Sequence, residues 1–310
     1  MDKSSLSPNI SDNDSISYLR DLMYFFRYNQ VIDCAQLCNS HDACSAGKTG
    51  LKKDGGNDVT GICFDIDDTL YSRRALLIQA AEETLRRTDG FIMSDGASFS
   101  GEVFLKIFYE KSDENFALVE NGAITARESN IWRLQQTFLA MGLPTESWQG
   151  AYFTDRYTQL QNQIALSPVM RKLLEDLARR AKEPAGQLRL GIVTNGASGH
   201  QWKKYRQLGL ERYIPKAYVT VSGDVGISKP DPGIFRAAED AIGLPPQDLW
   251  LVGDSLKHDI EGAHAAGWHT VWMNRNAGSL QCADAGVTVH SEAELAAALR
   301  RLVQTAEPSF

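Results

Sequence analysis

The sequence has no run of 18 or more apolar residues, which excludes an ordinary membrane-spanning helix. Its first residues, MDKSSLSPNISDNDS, have neither the basic start nor the apolar centre of a secretory leader. Cysteine is sparse and odd in number: Cys34, Cys38, Cys44, Cys63 and Cys282. Such a set is not the framework of a disulfide-stapled secreted domain, so the expected compartment is the reducing cytoplasm, with no membrane partner. Positive charge is not in excess either. Thirty-two Lys and Arg stand against 39 Asp and Glu, a formal net charge of −7. A chain this acidic gains little from a phosphate backbone, so a nucleic acid duplex is not an expected partner. A locally positive pocket for a small phosphorylated metabolite stays compatible with that charge.

What is present is an ordinary globular balance, 43% hydrophobic and 23% charged residues. At roughly 100–200 residues per domain, 310 residues fit two domains, or one with an insertion. Residues 1–57 read as an N-terminal extension: a Ser-, Asp- and Asn-rich tail, a possible helix over 18–38, and a polar linker. Cys34, Cys38, His41 and Cys44 are close together there, but their spacing matches no strong zinc pattern. The plainer reading is cysteines packed on a helix and its exit.

From residue 59 the pattern is regular. VTGICFDI (59–66), LRLGIVTN (188–195), DLWLVGDS (248–255) and WHTVWMN (268–274) are apolar strands, the first three ending abruptly in polar residues. AYVTV (217–221) adds a shorter strand, and 287–303 a last strand and helix. Helical stretches near 199–208, 231–242 and 259–266 lie between them, which predicts an α/β fold with a parallel sheet covered on both sides. The interval from Asp65 to Thr194, 129 residues, is far longer than a crossover helix needs. Its helical segments (75–88, 101–111, 126–142, 148–164) predict an inserted helical domain, and 167–182 a helix returning to the sheet behind the cap residues Ser167 and Pro168. The expected division is a core of 58–72 and 183–310 with a helical cap and return helix over 73–182.

In open α/β sheets, ligands bind beyond the carboxyl ends of the strands. The residues there are Asp65, Asp67, Asp68 and Thr69 after the first strand, Thr194 and Asn195 after the second, and Asp254, Ser255 and Asp259 after the third. Lys229 sits in a loop opening toward the same edge. One such aspartate is usually a cap or turn residue. Four or more carboxylates around one lysine repel one another unless a cation joins them, and hard oxygen ligands suit Mg²⁺.

The ordered set FDIDDTL (64–70), VTNG (193–196), SKPDPGIF (228–235) and VGDSLKHDI (252–260) resembles the haloacid dehalogenase-like hydrolase superfamily, in its phosphatase branch. The resemblance covers roughly residues 59–303. It implies a Rossmann-like parallel-sheet hydrolase core with an inserted helical cap, and an Mg²⁺-dependent phosphomonoesterase working through an aspartyl-phosphate. It further implies Asp65 as nucleophile and Asp67 as the acid and base on the leaving group and water. Thr69 would steady the turn and Asp67, Thr194 and the amides near Asn195 would hold the phosphoryl group, and Lys229 would neutralise charge. The implied metal ligands are the Asp65 carboxylate, the Asp67 backbone carbonyl and the Asp254 carboxylate, with Asp259 supporting them directly or through water. Dehalogenases of the family lack the second aspartate, and this chain has Asp67.

FDIDDTLY resembles the pyrimidine 5′-nucleotidase-like members, so a nucleoside monophosphate or a sugar phosphate is an expected substrate. Tyr71, Arg73 and Arg74, and Phe104, Phe108 and Tyr109, are candidate cap contacts, although aromatics at helical spacing more often form core. Lys203 and Lys204 read as a solvated helix face, the alternative being contact with an anionic substrate. His200 and His258 lie near the site edge without an assigned acid–base role. Monomer and homodimer both remain open, and the competing reading is a catalytically quiet regulatory or scaffold protein that retains the fold.

Overall fold

The computed structural model describes residues 60–88, 99–120, 122–183, 188–275 and 284–304. The N-terminal extension, with its expected helix and the Cys34, Cys38, His41, Cys44 group, lies outside the described residues. Six strands, β1 (Thr60–Phe64), β2 (Leu188–Thr194), β3 (Val219–Val221), β4 (Leu249–Gly253), β5 (His269–Met273) and β6 (Val287–Val289), form one parallel sheet. Their order is β3-β2-β1-β4-β5-β6. The central strands TGICF and LWLVG are buried almost throughout, as strands covered on both faces must be. In this order β1 pairs with β2 on one side and β4 on the other. The crossovers diverge between β1 and β4, which leaves a crevice at their carboxyl ends.

Helices cover the sheet on both sides because each carries one apolar stripe. After the long interval, α5 (Pro168–Arg180) starts at Ser167, whose hydroxyl accepts from the Met170 amide at 3.0 Å, with Pro168 in its first turn. It buries Met170, Leu173, Leu174, Leu177 and Ala178 against Ile62, Phe64 and Ile192 in a cluster shared with α8 (Glu292–Gln304). On the opposite face α7 (Pro232–Ile242) buries Ile234, Phe235, Ala238 and Ile242 with Cys63, Val193 and Leu251. Between β2 and β3 lies α6 (Ser198–Gln207).

The long interval holds α1 (Arg73–Arg86), α2 (Gly101–Glu120), α3 (Ala126–Ala140) and α4 (Gln149–Gln161). These helices enclose a separate apolar cluster built on Leu77, Leu85, Phe104, Phe108, Leu134, Phe138, Phe153 and Tyr157. A capping box at Thr125 and Glu128 starts α3. The second of these helices runs nine residues past the expected end at 111. Its polar run stays helical because Lys111 pairs with Glu114 and buried Asn115 accepts from the Ser129 hydroxyl of α3 at 3.0 Å. The helix expected near 259–266 begins earlier, as a wide π-helical turn over Leu256–Glu261 that continues into Gly262–Ala265. Among the described residues no helix is long and apolar enough to cross a membrane.

Candidate active site

Asp65 is the first residue beyond β1, its amide donating to the Val252 carbonyl of β4 at 2.9 Å. Asp254 follows β4 directly. The loop before α7 brings Lys229 between them. Its ammonium donates to Asp65 Oδ1 at 2.8 Å, Asp259 Oδ1 at 2.5 Å and the Val193 carbonyl at 2.9 Å, which uses all three donors. The second oxygen of Asp259 accepts from the Ser255 amide at 2.9 Å. This return of the chain needs Gly253, where a Cβ would lie 2.4 Å from the Asp259 side chain. Asn195 fixes the Lys229 loop from the other side, its Nδ2 donating to the Lys229 carbonyl at 2.9 Å and its Oδ1 accepting from the Lys229 amide at 2.8 Å. Both ends of the Asn195 carboxamide therefore bond the loop. Thr194 is fully buried and its hydroxyl has no partner among the described residues.

The carboxylates outnumber their compensation. Burial pushes Asp65 up to about 6; Lys229 opposes this, and Asp259 and Asp67 add to it. Burial, then Asp259, Asp65 and Asp68, hold Asp254 well above the usual carboxylate range. Burial alone would lower Lys229, but Asp259 and Asp65 outweigh it and raise its pKa above the ordinary lysine value. Ligand oxygens of Asp65, Asp254 and Asp259 lie within 4.8 Å of one another. Three carboxylates against one ammonium leave two negative charges, and the Asp254 carboxylate makes no ion pair among the described residues. A hard divalent cation such as Mg²⁺ fits this donor set.

Asp67 faces a different environment. It is held by the Tyr71 hydroxyl, by Lys204 Nζ at 2.7 and 2.6 Å and by Gln201 Nε2 at 3.1 Å. Burial would raise its pKa, but Lys204 and then Arg73 prevail and hold the carboxyl well below the usual range. Two expectations change here. Lys204 does not belong to a solvated face: it turns into the site, whereas its neighbour Lys203 is exposed and donates to Asn162. Nor does the Thr69 hydroxyl bond Asp67: it is buried without a partner among the described residues, while Tyr71, Gln201 and Lys204 do the holding. A lysine and a glutamine three residues apart on one helix face are a signal for such a role, visible once the helix is known to border the site.

Asp68 adopts the left-handed region at φ 61°, which costs a non-glycine residue energy. Its carboxylate accepts from the Arg74 amide at 2.7 Å and from the Tyr109 hydroxyl at 3.3 Å, linking the loop after β1 to α1 and α2. Tyr109 thus reaches the loop after β1, whereas Phe104 and Phe108 lie in the apolar cluster of the inserted helices. Arg133 is buried away from it, its Nε and Nη2 donating to the Phe108 carbonyl and its Nη1 to Asn130, and Arg127 pairs with Asp155 on the surface. His200 and His258 are exposed.

A family model described as haloacid dehalogenase-like hydrolase matches residues 59–267. Phosphoserine phosphatase of Thermus thermophilus is 35% identical over 125 residues, 40% of this chain and 45% of that protein. Glyceraldehyde 3-phosphate phosphatase of Methanopyrus kandleri is 28% identical over 219 residues, 70% of this chain and 84% of that protein. The structure of the hydrolase YfnB from Bacillus subtilis, bound to magnesium, covers 78% of this chain and 99% of its own at 24% identity. Its TM-score of 0.55 establishes likeness of fold.

Proposed function

The chain belongs to the haloacid dehalogenase-like hydrolases, and on that premise we propose that it is an Mg²⁺-dependent phosphomonoesterase of small phosphorylated metabolites. The observation that carries this reading is the convergence of buried Asp65, Lys229 and Asp259 with half-buried Asp254 at the carboxyl ends of β1 and β4, with Asp67 beside it. The relatives named above for phosphoserine and glyceraldehyde 3-phosphate support it.

An Asp65 carboxylate oxygen attacks phosphorus, the bond from phosphorus to the ester oxygen breaks, and an aspartyl-phosphate forms. Asp67, kept as the carboxylate by Lys204 in the resting site, takes up the proton that a monoanionic ester brings and passes it to the departing alkoxide. Asp67 then takes a proton from the water that attacks the phosphorus, which releases phosphate and restores Asp65. Lys229 steadies the Asp65 carboxylate and the charge next to it, and the free hydroxyl of Thr194 meets a phosphoryl oxygen. Asn195 acts by fixing the backbone of Lys229. Asp65, Asp254 and the Asp67 backbone carbonyl would hold Mg²⁺, with Asp259 behind them. The ion would neutralise phosphoryl charge and orient the group for in-line transfer. The helices of 73–182 act as the cap over the core of 58–72 and 183–310, and would limit access to small esters. Sparse cysteines and an unpaired, buried Cys63 support a reducing cytoplasmic setting.

The test is phosphate release by the purified chain on nucleoside monophosphates, sugar phosphates and three-carbon phosphates, with Mg²⁺ and with chelator, beside folded Asp65→Asn. Metal-dependent turnover that the variant loses by roughly a thousandfold or more is expected. Turnover undiminished in Asp65→Asn or in chelator, or none on any ester, overturns the reading and in the last case favours a binding role.

A further inference from the structure

Asn274 and Arg275 follow β5 directly. The Asn274 amide donates to the Val289 carbonyl of β6 at 2.9 Å, and the Asn274 carbonyl lies 2.8 Å from His290 Nδ1, so the exit from β5 is fixed. From there Arg275 reaches the turn after β1, 206 and 207 positions earlier. Its Nε donates to the Asp68 carbonyl at 3.2 Å and its Nη2 to the Thr69 carbonyl at 3.4 Å. Its remaining bond goes to Glu292 Oε1, also at 3.4 Å. None of these partners belongs to the acidic cluster of Asp65, Asp254 and Asp259.

The turn that Arg275 grips is strained. The Leu70 amide donates to the Ile66 carbonyl at 3.1 Å, which closes the turn around Asp67, Asp68 and Thr69. Within it Asp68 sits at φ 61°, a region that residues other than glycine enter uphill. Such strain persists only where the surroundings over-determine the conformation. For Asp68 they do so from two sides. Its carboxylate is held by the Arg74 amide and the Tyr109 hydroxyl, from α1 and α2, and its carbonyl by Arg275, from the sheet. The φ of Asp68 orients the peptide that joins it to Asp67. Relaxation of Asp68 to an ordinary conformation would turn that peptide, and the Asp67 carbonyl with it. Tyr71, Gln201 and Lys204 hold Asp67 too, but they act on its side chain.

We infer that Arg275 is a positioning residue for the proposed reaction, its guanidinium locking the turn after β1 and with it the carbonyl and side chain of Asp67. The inference rests on the phosphatase reading above and adds to it a residue that touches none of the reacting groups. Arginine suits this task. Nε–H and one Nη2–H project side by side from a rigid plane and meet two successive carbonyls, which a lysine ammonium on a flexible stem does not reproduce. The half-buried Glu292 orients the guanidinium in turn. It opens α8, where the helix dipole favours an acid, and its other oxygen accepts from the Ser167 hydroxyl that caps α5. Arg275 and Glu292 balance in charge, so the pair acts on the site through geometry.

The experiment compares wild type with Arg275→Ala and Arg275→Lys in the full chain. Glu292→Gln is a milder variant that keeps the guanidinium and removes its ion pair. The measurements are Mg²⁺ affinity of the substrate-free protein by calorimetry, kcat and KM at saturating Mg²⁺ on the best ester of the panel above, and melting temperature in chelator. Arg275→Ala is expected to weaken Mg²⁺ binding by about tenfold. Its kcat should fall by roughly tenfold or more, with KM within about threefold of wild type. Arg275→Lys should recover little of either loss. Glu292→Gln should shift both in the same direction by less, and it decides the matter by the same measures if Arg275→Ala does not fold. A lower melting temperature with Mg²⁺ affinity and kcat unchanged would reduce Arg275 to a structural contact and overturn the inference. Full recovery by lysine would overturn it by making charge the operative property. A raised KM at constant kcat would overturn it by setting the guanidinium against substrate. In all three cases wild type still hydrolyses ester, and the phosphatase reading stands. No turnover by wild type on any ester removes that reading and the role in the reaction with it.

Discussion

Asp254 and Gly253 are adjacent and make opposite demands. The half-buried Asp254 carboxyl lies among like charges and has no ion pair among the described residues, so in the absence of metal its charge destabilises the fold. Asp254→Asn is therefore expected to raise the melting temperature of the chelated protein. In wild type, Mg²⁺ at a hundred times its Kd should add about 2.7 kcal/mol. At about 2–4 °C per kcal/mol for a domain of this size, that is a rise of several degrees, and the variant should lose it. Thermal melts of both proteins with Mg²⁺ and with chelator check this; an equal rise in the variant would remove Asp254 from the ligand set. Gly253→Ala should do the reverse, since its Cβ would lie 2.4 Å from Asp259. Overpacking of this kind costs about 1–3 kcal/mol. Displaced Asp259 would also loosen Lys229, so kcat should fall with stability, which denaturant unfolding and steady-state kinetics on one preparation would reveal.

At the scale of the element, the helices between β1 and β2 are held by different kinds of contact. The start of α3 depends on the reciprocal bonds of Thr125 and Glu128, exposed to water. Thr125→Ala should cost about 1 kcal/mol, as cap removals do. Phe153 of α4 is fully buried and packs edge-on against Phe104 and Phe108 at 6.3 and 5.5 Å between ring centres. Phe153→Ala should cost about 3–5 kcal/mol. Urea titration of the two variants tests the difference, and similar losses would contradict the tight packing of this cluster. The loop after β1 joins the two regions through Asp68, whose strained backbone is offset by its bonds to the Arg74 amide and Tyr109. Asp68→Gly should therefore change stability little while raising KM, because strain and clasp disappear together.

Across the whole molecule the sheet isolates its two faces from water. Cys63 lies on β1 against α7, completely buried, and burial pushes its thiol pKa far up. At pH 8 the folded chain should leave Cys63 unalkylated, and its labelling should follow global unfolding in denaturant. Peptide mapping of the labelled protein distinguishes it from the other cysteines. Rapid labelling under native conditions would mean that α7 opens away from the sheet on its own.

Much of the fold and part of the site can be read from the residues in order. Alternation of apolar strands with helical stripes is local, so β1 to β6 and their helices fall close to the expected ranges. The 129-residue interval requires an insertion whatever its shape. Asp65, Lys229, Asp254 and Asp259 follow from the ends of those elements, because a parallel sheet brings the carboxyl ends of its strands to one edge. The tertiary structure alone decided which side chains use their polar groups there. Lys203 and Lys204 are adjacent and chemically identical, and only the seating of α6 against the loop after β1 turns one to solvent and the other to Asp67. The side chain of Asn195 bonds a Lys229 backbone 34 positions away, a partner that only folding supplies. Sequence determined the chemical types and their order along the chain; packing determined their partners, since side-chain pairing acts over a few ångströms between residues far apart in the chain.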